Sequence, residues 1–355
     1  MKHSRLPALP LLLAALTLAA LPLRAERLVL VAGGTDDRTG IAATQAKLRE
    51  PFGTEFDAAG NLFIVEMVTG NRLLKVDAGG ILTHVAGQPA PGDSGDGGPA
   101  LAAQFNGPHN LAVLPGGDVL IGDTWNGRVR RVNLTSGAAT VTTLPGFNVP
   151  PPRARSAGPY CITLDFTGTQ LLVADLTRVH AVDLKSGAAR VLAGNGTKGR
   201  PADGAIATEA PLSDPRAAAL DRQGNLYILE RNGHALRVVG RDGKIRTVVN
   251  ASGEKGATGD GGDALAATMN GPKHLCIDRD DTVLIADAEN HLIRRYVPAT
   301  GKILRVAGTG KKGTAGLGGP PEKAELNRPH GVTVHRDGTL YITDSYNDRV
   351  LKIVK

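Results

Sequence analysis

Six positions that each directly follow a proline carry side chains suited to binding or acid–base chemistry. They are Phe52, His109, Tyr160, Arg216, Lys273 and His330. An arginine fork or a lysine ammonium binds carboxylate or phosphate, and a histidine can hydrogen-bond a ligand or act as a general base. These residues are spread along most of the chain, so their chemistry matters only if the fold gathers them.

The chain is built from six copies of one sequence block. Each copy opens on a proline, continues through an apolar run and a glycine turn, and reaches a second apolar run that ends on an acidic residue. The opening prolines stand at 51, 108, 159, 215, 272 and 329, so the period is 51 to 57 residues. A regular period of this size is typical of solenoids, propellers or arrays.

Each copy predicts four β-strands. In the sixth copy, the ranges 331–334, 339–343 and 349–354 are rich in apolar and β-branched residues, and Asp337-Gly338 marks the first turn. A lone four-stranded sheet cannot bury both of its faces, whereas six sheets arranged radially cover one another. The repeats therefore predict an all-β, six-bladed β-propeller of four-stranded blades.

Ring closure has a sequence signal of its own. The sixth copy stops at Lys355 before a fourth strand, whereas residues 26–33, with a closing strand at 27–32, resemble the fourth strands of copies one and five, 81–87 and 303–308. We therefore expect the N-terminal strand to complete the last blade. One propeller domain, residues 26–355, is implied despite the length of the chain.

In such a ring, the residue after each opening proline begins an inner strand and lies close to the axis. We expect the six side chains described first to surround an axial pocket. The loops that follow the recurring acids open on the same rim. Trp125 and Tyr346 occupy equivalent loops of blades two and six, where they either anchor a ligand or pack on a neighbouring loop.

Phrases in the loops carry a family resemblance. The segments 95–100 (GDGGPA), 306–310 (VAGTG) and 287–290 (DAEN) are similar to NHL repeats of exported bacterial proteins. The resemblance covers residues 26–355 and implies a six-bladed NHL propeller. It implies no single activity, because propellers of this family bind proteins, peptides, RNA or sugars, and a few are enzymes.

One member of the family suggests a metal. Pro108-His109 and Pro329-His330 resemble motifs that carry zinc-ligand histidines in the peptidyl-hydroxyglycine amidating lyase, also a six-bladed NHL propeller. The resemblance implies His109 and His330 as ligands of one divalent metal in a lyase or hydrolase. That enzyme uses three histidines, however, and no other ring position here is histidine. His274 follows the ring, but strand alternation predicts that it faces away.

The ring also supports interpretations without a metal. Arg216 and Lys273 can clamp an anionic group while His109, His330 and Tyr160 hydrogen-bond the remainder, and turnover would follow if a histidine served as a base. Alternatively, these side chains line a hydrated channel and pair with rim acids. A third interpretation is a protein-interaction scaffold that uses the crossovers between blades.

Other recurring features are assigned to architecture. An acid ends the second strand of every copy, and we expect each to bind backbone amides of its own loop: Glu66, Asp123, Asp175, Glu230, Asp287 and Asp344. The segments 194–199 and 308–313 fit a dinucleotide pattern, but no helix follows them, so they are interpreted as crossovers. Cys161 and Cys276 belong to inner strands of blades that are not neighbours, which predicts free thiols.

Residues 1–25 have the features of a secretory signal peptide. Lys2 and Arg5 precede an apolar run, 6–23, and Ala25 offers a small residue for cleavage. The alternative is an uncleaved membrane anchor. No other stretch is apolar enough to span a bilayer. Removal of the leader, with Lys2, Arg5 and Arg24, lowers the formal net charge from +7 to +4, a mild basic excess that does not indicate nucleic-acid binding.

We therefore expect a periplasmic or secreted propeller, monomeric, that binds a small anionic ligand, a peptide or a protein at its top face and axial pocket. The residues expected to contact the ligand are His109, Trp125, Tyr160, Arg216, Lys273, His330 and Tyr346. Whether the chain is an enzyme stays open at this point.

Overall fold

The structure, a computed structural model, describes residues 25–148 and 158–355 and contains six antiparallel sheets. The inner strand of each sheet contacts the inner strands of both neighbouring sheets, and the inner strand of the sixth sheet contacts the inner strand of the first. The sheets are therefore the blades of a closed ring. The predicted all-β, six-bladed propeller is confirmed.

The first three blades follow the predicted order from the axis outward. Blade one contains β3 (Pro51–Phe56), β4 (Leu62–Glu66), β5 (Leu73–Val76) and β6 (Ile81–Ala86), with a short outermost β2 (Ile41–Ala42) that the sequence did not predict. Blade two contains β7 (Leu111–Val113), β8 (Val119–Asp123), β9 (Arg128–Asn133) and β10 (Thr140–Asn148). Blade three contains β11 (Cys161–Leu164), β12 (Gln170–Ala174), β13 (Val179–Asp183) and β14 (Ala189–Ala193).

The remaining blades have the same order. Blade four contains β15 (Pro215–Leu220), β16 (Leu226–Glu230), β17 (Ala235–Val239) and β18 (Ile245–Val249). Blade five contains β19 (His274–Ile277), β20 (Val283–Asp287), β21 (Leu292–Val297) and β22 (Lys302–Ala307). Blade six contains β23 (Gly331–Val334), β24 (Leu340–Asp344), β25 (Arg349–Val354) and, outermost, β1 (Arg27–Ala32). Short 3₁₀ turns lie at Ala100–Ala102, Thr124–Asn126, Ala288–Asn290, Pro321–Lys323 and Ser345–Asn347.

The N-terminal strand closes the ring as predicted. β1 runs antiparallel to β25, with Arg27 opposite Val354 and Leu30 opposite Leu351. Leu28 and Ala32 are fully buried and pack into two different apolar clusters. One short strand therefore ties the last blade to both of its neighbours.

The hydrophobic core is divided among the interfaces between blades. Six clusters of buried apolar side chains lie one between each pair of neighbouring blades. Strand alternation explains this division, because successive residues of each strand point to opposite faces of the blade and so toward different neighbouring blades. The two cysteines, Cys161 and Cys276, are free thiols, as predicted.

The recurring acids connect the blades to the crossovers that precede them. Five of the six accept a hydrogen bond from the backbone amide seventeen residues earlier, on the incoming crossover: Glu66, Asp123, Glu230, Asp287 and Asp344. The prediction that they bind their own loop was wrong for these five and holds only for Asp175, which accepts from the amides of Thr177 and Arg178. Strand periodicity predicts the position of each acid but does not predict which crossover passes over it.

In blades one and four, the inner strand begins with irregular pairing at the ring residue. Pro51 pairs with Glu66 and Gly53 with Val65, which leaves Phe52 between them without a partner. Arg216 is left out in the same way in blade four. Such β-bulges place two residues of one strand opposite one residue of the next and bend the strand.

The predicted signal peptide, residues 1–25, lies outside the described residues except for Ala25. In the part of the chain that is described, no helix has the length and apolar character needed to cross a membrane.

Candidate functional site

The ring residues form a contiguous layer of stacked side chains. Phe52 is stacked on His330, with ring centroids 4.1 Å apart, and meets His109 edge-on at 5.4 Å. His109 in turn meets Tyr160 edge-on at 4.7 Å. Phe52, His109 and His330 are all at least nine-tenths buried. This side of the ring is thus a packed aromatic layer rather than the open axial pocket expected from the polar residue types.

Arg216 extends this layer and is incompletely satisfied. Its guanidinium carbon lies 4.1 Å from the centroid of the Tyr160 ring. The side chain is 5% exposed, and Nη1 is buried with no hydrogen-bond partner among the described residues. Asp214, two residues earlier, pairs with Arg231 instead. Burial, together with the charge of Arg231, lowers the pKa of Arg216 to about 10, so it remains a cation at neutral pH.

The two ring histidines are neutral and share one orientation. Nδ1 of His109 lies 2.7 Å from the carbonyl of Gly107, and Nδ1 of His330 lies 2.7 Å from that of Arg328. A carbonyl can only accept, so each Nδ1 donates its proton and each Nε2 carries a lone pair. Burial and the nearby cations Arg216 and Lys273 hold both histidine pKa values well below the usual range.

Lys273 connects the ring to a depression on the top face. Its ammonium lies 3.3 Å from the carboxylate of Glu289, and its pKa is lowered to about 8 by burial and by Arg216. The depression has an empty volume of ≈ 860 Å³, including its open mouth, and is lined mainly by polar and basic residues: Arg231, His234, Lys255, Asn270, Lys273, Glu289 and Arg328. Cations outnumber the single acid of this lining.

Trp125 and Tyr346 flank the two histidines. The Trp125 ring centroid lies 6.0 Å from that of His109, and Tyr346 is stacked on His330 at 5.6 Å. Arg328 covers Tyr346 at 4.7 Å and also reaches Glu289 at 2.5 Å. The structure therefore brings together the seven residues predicted to form the site, and it places the two aromatic residues beside the ring rather than apart from it.

Two family models match this chain. The teneurin NHL domain matches residues 96–258, and the NHL repeat matches residues 326–353. Together with the six-bladed ring and its repeated loops, these matches decide the family. The chain is an NHL-repeat propeller.

Curated relatives of the NHL propeller are distant and longer. NHL repeat-containing protein 2 of Bos taurus is 22% identical over 334 residues, and the match covers 83% of this chain and 45% of the relative. The protein of that name from Gallus gallus is 23% identical over the same length. The chain thus spans less than half the length of the curated relatives it matches.

Solved structures share the fold of the NHL propeller. An auxiliary nutrient binding protein from Bacteroides thetaiotaomicron has a TM-score of 0.69 at 16% identity, with 93% of this chain and 76% of that chain covered. A virginiamycin B lyase from Staphylococcus aureus, solved with quinupristin, has a TM-score of 0.56 at 14% identity, with coverages of 93% and 99%. At these identities the similarity shows the architecture alone.

The donor set of the NHL propeller does not fit a catalytic zinc. No group of three His, Cys, Asp or Glu side chains that could hold one ion occurs among residues 25–148 and 158–355. His109 and His330 would supply two ligands where such a zinc uses three, and the cations Arg216 and Lys273 act on both. We therefore assign no step to a metal.

One ring neighbour is placed differently from the prediction. His274 does not turn away from the axis, because its Nε2 lies 3.1 Å from the side-chain amide nitrogen of Asn110 in the opposite blade. The amide of Lys273 bonds to the carbonyl of Ala286, although His274 is the residue in register with Ala286. This irregularity breaks the strict alternation on which the prediction rested.

The sequence pattern did not single out three charged residues that line the top-face depression, namely Arg231, Glu289 and Arg328. Arg231 and Glu289 follow the recurring acids in blades four and five, in loops equivalent to those of Trp125 and Tyr346. That equivalence was a usable signal. Arg328 adopts φ +47°, where blades two and five have glycine. A left-handed arginine costs about 1–3 kcal/mol, which is consistent with a side chain kept for its contacts.

Proposed function

We propose that this NHL propeller binds a small organic anion at its top face, with Arg216 and Lys273 pairing the anionic group. The observation that carries the proposal is the buried Nη1 of Arg216, which lacks a partner among the described residues. A buried donor without an acceptor is costly, and a carboxylate oxygen would satisfy it. Lys273, which is close enough to Arg216 for the charge of Arg216 to lower its pKa, lines the cationic depression on the top face.

The histidines define a second requirement for the ligand. Because Nδ1 of His109 and of His330 donates to a backbone carbonyl, Nε2 can only accept while the ring is neutral. A bare anion offers no proton to such an acceptor. The geometry therefore favours an anion that also carries a hydroxyl or amide N–H group, such as a hydroxy acid.

Citrate is a suitable probe because it combines carboxylates with a hydroxyl group. We expect Arg216→Gln to weaken citrate binding about 10- to 100-fold, since a charge-assisted hydrogen bond contributes about 1.5–3 kcal/mol. Isothermal titration calorimetry measures this change. The matched control is Arg246→Gln, in the same blade, which removes an exposed arginine paired with Asp242 and should change the affinity less than about twofold.

Two comparisons sharpen the citrate experiment. Propane-1,2,3-tricarboxylate lacks only the hydroxyl group of citrate, so the wild type should bind it more weakly than citrate. A His109→Phe/His330→Phe variant should bind the two compounds with equal affinity. Citrate affinity should fall as the pH rises from 7 to 9, because Lys273, with a pKa of about 8, loses its charge there. Equal losses in both arginine variants would indicate general charge attraction and would contradict the proposal.

Catalysis is the second candidate, and the histidine tautomers favour it. A neutral imidazole with an unprotonated Nε2 is the form that a general base requires. Turnover of anionic esters and lactones by the wild type would support this candidate. If a histidine is the general base, His109→Phe or His330→Phe should abolish turnover. The same substitution should weaken citrate binding less than Arg216→Gln does.

A pure interaction scaffold remains the outcome if neither binding nor turnover is found. In that case a protein or peptide partner would bind through the crossovers and would be insensitive to Arg216→Gln and Lys273→Gln. The scaffold and the anion site therefore differ in one measurable property, which is the response of binding to the ring variants.

We propose that the protein works outside the cytoplasm, in the periplasm or after secretion. The support is the basic start, apolar run and Ala25 at the beginning of the sequence. Intact-mass measurement of the exported protein should give a chain that starts at Glu26. A mass that includes residues 1–25 would instead indicate a retained anchor.

A further inference from the structure

A second cavity lies on the axis, below the ring and on the opposite face of the propeller. Its empty volume is ≈ 780 Å³, including the mouth. The inner strands of all six blades line it, for example through Thr54, Val113, Ile162, Ala219, Ile277 and Thr333. None of the six ring residues contributes to this lining. The mouth lies at the turns between the first and second strands, where Phe166 is 55% exposed.

The inner end of this cavity is formed by Asn110 and His274. These two side chains meet across the axis at 3.1 Å, directly below the ring, and both line the cavity. The top-face site and the lower cavity are therefore separate spaces on one axis. A ligand of the lower cavity enters from the lower face.

The walls of the lower cavity are mostly apolar, and one carboxyl group stands among them. Glu55 accepts a hydrogen bond from the amide of Phe56, 2.9 Å away, and no cation of the described residues pairs with it. Burial raises the pKa of Glu55 to about 7. Its carboxylate therefore has one backbone donor and no counter-charge.

The other titratable groups that line the cavity are His274 and Cys276, both on the inner strand of blade five. Burial lowers the pKa of His274 to about 4 and raises that of Cys276 to about 12, an effect to which Glu55 adds. Both are uncharged at neutral pH. The lining residues of blades two, three, four and six contribute no titratable group. Glu55 is thus the one charge that this lining can present.

We propose that the lower axial cavity binds a small organic cation, an amine with an apolar body, whose ammonium group pairs with Glu55. The apolar walls take the body of the ligand, and the ammonium supplies the counter-charge that the protein does not provide. This site is independent of the anion site on the top face, because the Asn110–His274 pair separates the two.

Benzylamine and benzyl alcohol test the proposal, since they have the same shape and differ in charge. We expect the full-length mature protein to bind benzylamine at least tenfold more tightly than benzyl alcohol at pH 7.5. Glu55→Gln should remove this preference and leave benzyl alcohol affinity unchanged. The control Glu322→Gln, an exposed acid on a crossover, should leave the affinity for both probes unchanged.

The pH dependence gives a readout that a change in folding would not reproduce. Benzylamine affinity should rise about tenfold from pH 5.5 to 7.5, as Glu55 loses its proton, and should not rise in Glu55→Gln. Equal affinity for the two probes, or an amine preference that survives Glu55→Gln, would overturn the proposal. Arg216→Gln should not change the affinity for benzylamine. Failure of the citrate experiment would therefore not bear on whether benzylamine binds in the lower cavity.

Discussion

A chain that lacks residues 25–33 is expected to lose cooperative folding. This deletion removes β1, its pairing with β25 and the buried side chains of Leu28 and Ala32. Loss of the Leu28 side chain alone should cost about 2–5 kcal/mol, and the whole strand approaches the 5–15 kcal/mol by which a typical domain is stable. Urea unfolding followed by circular dichroism should show a weak, broad transition or none.

A circular permutant separates the effect of the strand from the effect of the deletion. Arg27 stands opposite Val354, so joining Lys355 directly to Ala25 leaves Lys355, Ala25 and Glu26 as a three-residue hairpin loop. The permutant 34–355 followed by 25–33 should unfold at nearly the same urea concentration as the wild type. A deletion variant as stable as the wild type would show that ring closure by β1 is dispensable.

Glu230→Ala should be the most damaging single substitution among the recurring acids. Glu230 pairs with Arg237 at 2.8 Å, both side chains are at most 1% exposed, and Glu230 also accepts from the amide of Ser213 at 2.6 Å. Removing the acid leaves a buried guanidinium without a carboxylate and a crossover amide without an acceptor. The free energy of unfolding should fall by about 3–5 kcal/mol.

The same blade contains the control for this prediction. Asp242 pairs with Arg246, and both side chains are more than 40% exposed, so Asp242→Ala should cost about 1 kcal/mol or less. A double variant, Glu230→Leu with Arg237→Met, should recover most of the loss, because no charge is then left buried. Equal destabilisation by Glu230→Ala and Asp242→Ala would mean that burial does not determine the effect.

The ring architecture was predictable because each blade corresponds to one copy of a repeated sequence pattern. The proline period gave the number of blades, and the likeness of residues 27–32 to outer strands gave the partner of β25. Both signals arise from hydrophobic patterns that every blade must satisfy in the same way. The extra strand β2 has only two residues and lies outside that pattern, so the repeat did not predict it.

The site was predictable in its members but not in its packing. The position after each proline identified the ring residues, but their contacts with one another, such as that of Arg216 with the Tyr160 ring, come only from the structure. Residue type alone suggested an open polar pocket, whereas the stacking of Phe52 on His330 fills one side of it. Alternation failed at His274 because the strand is irregular at that point, and a bulge has no signature in a pattern of apolar and polar residues.

The ion pair between Arg328 and Glu289 was unpredictable for a different reason. Arg328 and Glu289 meet at 2.5 Å although they are 39 residues apart and belong to loops of different blades. Such contacts depend on how two crossovers pass each other. A single sequence carries no information about that distance until the ring is closed.

The position of the single tryptophan makes it an intrinsic fluorescence probe of the top face. Trp125 is the only indole in the chain, and its ring lies 6.0 Å from that of His109, beside the ring residues. The fluorescence of one indole therefore originates beside the ring and nowhere else in the molecule. Ligand binding at the top face should therefore change the tryptophan fluorescence of the unlabelled protein. Ligand binding in the lower cavity, on the far side of Asn110 and His274, should leave that fluorescence unchanged.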